Sequence, residues 1–292
     1  MTKPIKKSIK SAIALSAVAV LGLAGCAESS SEPLVIGSQA YYSNEIVAEV
    51  YAQVLEDAGY SVDRQFALGQ RDVYVPALLA GEIDIFPEYT GNLLQYFDPE
   101  ATATAEEDVY QALQAALPAG LTALALSGAS DQDSYNVTSD FAIKNSLTSI
   151  GDLAGVTGIR LGGAPELAER PYGPTGLLSS YGVTVEFEAT GDTTVESLVA
   201  GLIDMANVYS ADPRIQQLGL VTLTDPQGLF LSSNLVPIAS DAVNQEARDL
   251  ISAVSSAMTA ADLVALNVRS VDEQLSSAVI ARDWLLSKGL ID

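Results

Sequence analysis

Residues 77–89 read ALLAGEIDIFPEY, and residues 197–209 read SLVAGLIDMANVY. Each passes from an apolar, helix-favouring run through Ala-Gly to Ile-Asp and ends on a tyrosine, Tyr89 or Tyr209. Glycine after a helical run acts as a stop, and the short apolar stretch beyond it reads as a strand. The frame therefore predicts helix, stop, strand and tyrosine, twice over. Ligands of open α/β sheets bind outside the carboxyl ends of strands. Two lobes each presenting a tyrosine from that place would enclose a cleft with aromatic walls on both sides.

The segments around the first copy follow the same alternation. Leu34–Gly37 (LVIG) reads as a buried strand. Ser43 is placed to cap a helix whose apolar stripe is Ile46, Val47, Val50, Tyr51, Val54, Leu55 and Ala58, ended by Gly59. A strand over 61–66 follows, then a helix over 72–80 and a strand over 83–86. Strands alternating with helices imply parallel sheets covered by helices, an α/β protein. Gly and Pro cluster at 162–176, which reads as irregular loop, and the C-terminal stretch is mainly helical.

Charge and composition exclude several function classes. The 292 residues hold 14 basic and 37 acidic side chains, a formal net charge of −23. A chain this acidic repels phosphate backbones, so nucleic acid is not an expected partner. There is no histidine, which removes Ser-His-Asp and Cys-His catalysis and every His-ligated metal site. Neither a metal nor a cofactor is expected. Glu88 is the one carboxylate inside a tight motif, and it reads as a structural acceptor rather than a general acid.

The single cysteine, Cys26, stands at the end of a basic start and the apolar run SAIALSAVAVLGLA. Residues 1–25 read as a signal peptide: a charged region, a short apolar region too brief to span a bilayer, and small residues before the cut. The tetrad Leu23-Ala24-Gly25-Cys26 resembles a bacterial lipobox, which makes Cys26 the expected lipidation site and 26–33 a lipidated tether. The remainder is expected outside the cytoplasm, held to the cell membrane by lipid.

With these features in view, the chain resembles the substrate-binding proteins of ABC importers for glycine betaine, choline, carnitine and related osmoprotectants. The resemblance rests on Ile36-Gly37-Ser38 and on GEIDIFPEYTG at 81–91. Weaker echoes are Tyr135, APEL at 164–167 with Arg170, Tyr209 after the second Ile-Asp, and Val236-Pro237. It implies a two-lobed, type II periplasmic-binding-protein fold with two hinge crossings. Lobe 1 would comprise 34–136 and 235–292, and lobe 2 would comprise 137–234. It implies a monomer that binds a quaternary amine or betaine and delivers it to an ABC permease.

A quaternary ammonium cannot donate a hydrogen bond, so aromatic faces enclose it, each contact worth roughly 0.5–2 kcal/mol. The resemblance assigns such walls to Tyr89, Tyr135 and Tyr209, and a carboxylate grip to Arg170, whose forked donors suit that task. Asn92 is a further donor. The chain also departs from the pattern. Gln39 stands where the family commonly has lysine, Asn92 where it has threonine, and Ser233 where it has a further cage tyrosine. Tyr42 stands where a small polar residue is usual and is a candidate replacement wall. A less positive, rearranged site keeps choline, a zwitterionic betaine and a bulkier ergothioneine-like solute all open.

Overall fold

The computed structural model describes Met1 and residues 32–292. The signal peptide, Cys26 and most of the tether fall outside the described residues. Ten strands form two five-stranded sheets. They are β1 (Leu34–Gly37), β2 (Val62–Gln65), β3 (Ile85–Tyr89), β4 (Leu121–Ala123), β5 (Asp133–Val137), β6 (Ile159–Gly163), β7 (Val185–Ala189), β8 (Met205–Tyr209), β9 (Val221–Thr222) and β10 (Leu235–Ser240). The first sheet runs β2-β1-β3-β10-β4 and the second β7-β6-β8-β5-β9. In each, the central strand is parallel to one neighbour and antiparallel to the other: β3 to β1 and β10, β8 to β6 and β5. Order and direction match position for position, so the two sheets are built on one plan.

The echo in the sequence carries that plan. Helix α1 is Tyr42–Asp57, α2 is Arg71–Ala80, and α3 is Thr90–Phe97. α2 stops at Gly81, which takes the left-handed conformation at φ 72°, and the helix Thr194–Val199 is followed by Gly201 at φ 70°. Only glycine holds that backbone without a Cβ penalty. The N–H groups of Glu82 and Leu202 then close onto the Ala77 and Ser197 carbonyls, both at 2.9 Å. The aspartate of each Ile-Asp pair ties its strand to the neighbouring one. Asp84 donates its N–H to the Val35 carbonyl (2.8 Å) and accepts the Val35 N–H on Oδ2 (2.9 Å). Asp204 does the same with Arg160, at 2.9 and 3.0 Å.

β3 is buried along its whole length, the pattern of a strand covered on both faces. It contains Pro87, an uncommon residue in a central strand. Pro87 lies opposite Pro237 of β10, and its β1 neighbour has already ended, the β1–β3 pairing being at Ile36 and Ile85. No ladder donor is therefore missed. The Pro87 carbonyl accepts Asn44 Nδ2 of α1 at 2.9 Å, which ties the end of β3 to the start of α1.

One core packs α1, β1, β3 and β10 against the C-terminal helices Gln245–Ala257, Ala260–Val271 and Ser277–Lys288. A separate core, with Tyr135, Ile150, Leu161, Leu177 and Met205, fills the second sheet. The chain passes from one sheet to the other in 124–132 and returns in 223–234. The two passages are cross-linked: Ser130 bridges Asn234, the Leu235 N–H reaches the Ala129 carbonyl (2.9 Å), and the Asp131 N–H reaches the Ser233 carbonyl (3.1 Å). Asp133–Asn136 pair with β8, so the first passage lies upstream of the expected boundary after residue 136.

Three local expectations differ. The stretch 162–176, expected as irregular loop, holds the end of β6, a 3-10 helix at Pro165–Glu169 and the start of the helix Pro174–Tyr181. Ser43 does not cap α1; Tyr41 occupies that position without a side-chain cap, and Ser43 is buried in the first turn. The strand expected over 83–86 starts at Ile85 and runs on to Tyr89, because residues 86–89 find partners along β10. Among the described residues no helix is long and apolar enough to cross a membrane.

Candidate functional site

Tyr89 and Tyr209 are the last residues of β3 and β8, the equivalent strands of the two sheets. Between the sheets lies a narrow cleft, lined by Arg71, Asn92, Asp133, Arg170, Tyr172 and Tyr209 among others. Tyr41, at the entrance to α1, stacks on Tyr209 with ring centroids 5.7 Å apart and planes 22° from parallel. Tyr209 is 38% exposed, whereas Tyr89 is 3% exposed. The Tyr89 hydroxyl is buried, with the hydroxyls of Tyr41 and Ser43 beside it. Burial raises the Tyr89 and Tyr41 hydroxyls well above the usual tyrosine range, and neighbouring Asp131 adds to both.

Glu88 sets the position of this strand end. It is fully buried and accepts Arg71 Nε (3.0 Å) and Nη2 (2.7 Å), the Tyr74 hydroxyl, and the N–H of Tyr89 (2.9 Å). A carboxylate so thoroughly saturated by donors is structural, as the sequence reading expects. It also holds Arg71 at the edge of the cleft.

Asn92, in the first turn of α3, joins both sheets and the return passage. Its Nδ2 donates to Asp133 Oδ2 (2.8 Å) and to the Tyr172 hydroxyl (3.1 Å), while its Oδ1 accepts Ser233 Oγ (2.7 Å). A threonine there has one hydroxyl and could not serve all three. Asp133 is buried, and that burial raises its carboxyl despite the donors Asn92 and Tyr172. Asp131 is likewise buried, and burial pushes it up to about 7, reinforced by Asp133 and Asp212 and opposed by the Ala211 N–H.

The residues singled out from sequence are distributed as follows. Asn92, Arg170 and Tyr209 line the cleft together, and Ser233 joins them through Asn92. Arg170 is half-buried and makes no ion pair with any described residue, so neither Glu166 nor Glu169 holds it. Tyr89 meets the cleft through Tyr41. Gln39 is buried, with its N–H donated to Asn44 Oδ1 (2.8 Å). Tyr42 packs against the first core and faces Asp212 and Arg214, while its neighbour Tyr41 makes the stack. Tyr135 is fully buried in the second core, where its ring packs on Phe230 and its hydroxyl donates to the Tyr172 carbonyl. Sequence reasoning missed Tyr41, Arg71, Asp131, Asp133 and Tyr172. Tyr41 had a signal, its adjacency to Tyr42, but only the place where α1 begins decides which of the two turns inward.

Two sheets of one plan, each offering the carboxyl end of its central strand to a shared cleft, define a two-lobed solute-binding protein of the periplasmic type. The chain belongs to the family described as the substrate-binding domain of ABC-type glycine betaine transport systems, which residues 32–287 match. Members of that family are solute-binding components of transporters, not enzymes. The glycine betaine-binding protein YehZ of Escherichia coli K12 is 28% identical, the match covering 89% of this chain and 92% of that one. The carnitine transport binding protein OpuCC of Listeria monocytogenes is 24% identical over 95% of this chain and 92% of its own. A crystal structure described as a glycine betaine/carnitine/choline ABC transporter has the same fold, with a TM-score of 0.73 and 22% identity, covering 89% of this chain and all of that one.

Proposed function

We propose that this protein captures a quaternary-ammonium solute in the cleft between its lobes and delivers it to an ABC permease. The ammonium head packs against Tyr41, Tyr89 and Tyr209, whose ring faces attract a cation that cannot hydrogen-bond. The polar or anionic end of the solute meets Arg170. The observation that carries this reading is one cleft that holds Arg170, which pairs with no carboxylate among the described residues, and Tyr209, whose ring stacks on Tyr41. An unpaired guanidinium beside a cleft is a ready bidentate site for a carboxylate. The two sheets are taken as the cores of lobes that close over the solute, with 124–132 and 223–234 as the hinge. Cys26 is taken as the lipid attachment that holds the protein at the membrane, and Cys26→Ser should release it from the membrane fraction.

Titration calorimetry with choline, glycine betaine, carnitine, proline betaine and ergothioneine tests the reading. One or more should bind specifically. Tyr89→Ala should weaken the best of them at least thirtyfold, about 2 kcal/mol, and Tyr89→Phe much less, since it keeps the ring face. No binding across the panel overturns the reading. Phe as damaging as Ala points instead to a polar solute held by the hydroxyl.

A further inference from the structure

Asp131 sits in the first passage between the lobes and is 4% exposed. Its Oδ1 accepts the Ala211 N–H at 2.8 Å, and no basic side chain pairs with it among the described residues. The cations nearby are committed elsewhere: Arg71 to Glu88, and Arg214 to Asp212 and Glu196. The groups that bear on Asp131 come from every element around it. Tyr41 and Tyr42 approach from the start of α1, and Tyr89 from the end of β3. Tyr209, Asp212 and Arg214 lie on the second lobe, and Asp133 is in the same strand passage, itself facing Arg71. Burial, Asp133 and Asp212 make a negative charge there less favourable, and the Ala211 N–H opposes them. Beside it, the Tyr89 hydroxyl is buried together with those of Tyr41 and Ser43.

A buried carboxylate without a counter-ion, next to Tyr41, Tyr42, Tyr89 and Tyr209, is a place made for a positive charge. We propose, on the basis of the quaternary-ammonium reading above, that Asp131 is a specificity-determining residue of this site: it is the counter-ion for the ammonium head, and binding of that head releases its proton. The Asp131 O–H bond breaks, the electron pair stays on the carboxylate oxygen, and the proton passes to water. No other group changes state. Burial, Asp133 and Asp212 place the empty-site carboxyl up at about 7, so near neutral pH about half of the molecules hold that proton. A cation beside the carboxylate favours its ionised form. Apparent affinity should therefore rise with pH, by about tenfold from pH 6 to pH 8, and level off above.

The test is calorimetry on the full chain at pH 7, in phosphate and in Tris, whose protonation enthalpies differ. The probes are choline, glycine betaine, carnitine and 3,3-dimethyl-1-butanol, the neutral carbon isostere of choline. For choline or glycine betaine the two buffers should give different heats, corresponding to release of about half a proton. The neutral isostere should give none. Asp131→Asn should abolish the release, flatten the pH dependence, and narrow the preference for choline over its isostere at least tenfold. Asp131→Glu, which keeps a titrating carboxyl, should retain the release, and thermal melts confirm that both variants fold. Equal heats in the two buffers, or a release that survives in Asp131→Asn, overturn the assignment while leaving the solute-binding reading intact. Failure of choline, glycine betaine and carnitine alike to bind overturns that reading, and this assignment with it.

Discussion

Replacing Glu88 by glutamine should be among the most damaging single changes available to this protein. The side chain is fully buried and receives both guanidinium nitrogens of Arg71, at 3.0 and 2.7 Å, the Tyr74 hydroxyl, and the Tyr89 N–H at 2.9 Å. Glutamine keeps the shape but removes the charge, and its NH₂ presents a donor where every neighbour is also a donor. Arg71, only 5% exposed, is left as an uncompensated buried cation. Removing one partner of a buried ion pair costs about 3–5 kcal/mol. For a domain of this size each kcal/mol lowers the melting temperature by about 2–4 °C, so the expected fall is roughly 10 °C or more. Urea unfolding followed by circular dichroism reads the free energy directly, and the double variant Arg71→Gln/Glu88→Gln should recover part of it by removing the orphaned charge. Because the carboxylate also fixes the N–H of Tyr89, solute binding should suffer even at temperatures where the variant is folded. A Glu88→Gln protein within 1 kcal/mol of wild type would refute the view that this pair holds the strand end in place.

Gly91→Ala should destabilise the fold by about 1–3 kcal/mol, since an added Cβ would stand 2.7 Å from the Ser232 carbonyl oxygen and 3.0 Å from that of Leu231; a thermal melt unchanged from wild type would contradict the packing described. Arg170→Ala should leave stability nearly unaltered, because no ion pair is lost, but weaken glycine betaine and carnitine at least tenfold, about 1.4 kcal/mol, while sparing choline; equal losses for all three in calorimetry would remove it from the carboxylate end. Without ligand, the stability of wild type should fall as pH rises, because Asp131 titrates near 3.8 when unfolded and about 7 when folded, so the folded state holds the extra proton only below that value. Asp131→Asn should therefore match wild type near pH 4 and exceed it by up to about 4 kcal/mol at pH 8; a gap in urea midpoint that does not widen with pH would refute the burial argument.

Much of the scaffold was legible because the interactions that shape it are local. A glycine stop, an Ile-Asp pair and an apolar run specify a helix end and a strand start within a dozen residues, and the recurrence of that frame pointed to two equivalent strands. Tyr89 and Tyr209 could be placed at strand ends for the same reason. The remainder of the cleft depends on contacts distant in sequence. Asn92 finds Asp133, Tyr172 and Ser233 only after both passages are laid side by side. Tyr41 and Tyr42 are chemically identical neighbours, separated in role because Tyr41 is the extended cap residue and Tyr42 the first residue of α1. Tyr135 shares the composition of a cleft tyrosine, yet β5 pairs with β8 so that its ring packs on Phe230 in the core. Arg71 and Tyr172 carry no local signature at all; their importance comes from the partner across the fold.

The twin frames also make the molecule its own control. Asp84 and Asp204 occupy the same place in the two sheets and make the same paired contacts to a neighbouring strand's N–H and carbonyl. They differ in the side chain that meets the carboxylate: a buried alcohol, Ser240 Oγ donating to Oδ1 at 2.9 Å, for the first, and the guanidinium of Arg160, Nε to Oδ2 and Nη2 to Oδ1, both at 2.9 Å, for the second. Making one substitution at both positions keeps the same backbone contacts and helix stop and varies the carboxylate's side-chain donor, neutral or charged, together with its burial. Within a single polypeptide, the difference between the two losses compares a buried hydroxyl with a half-exposed ion pair on the same structural background.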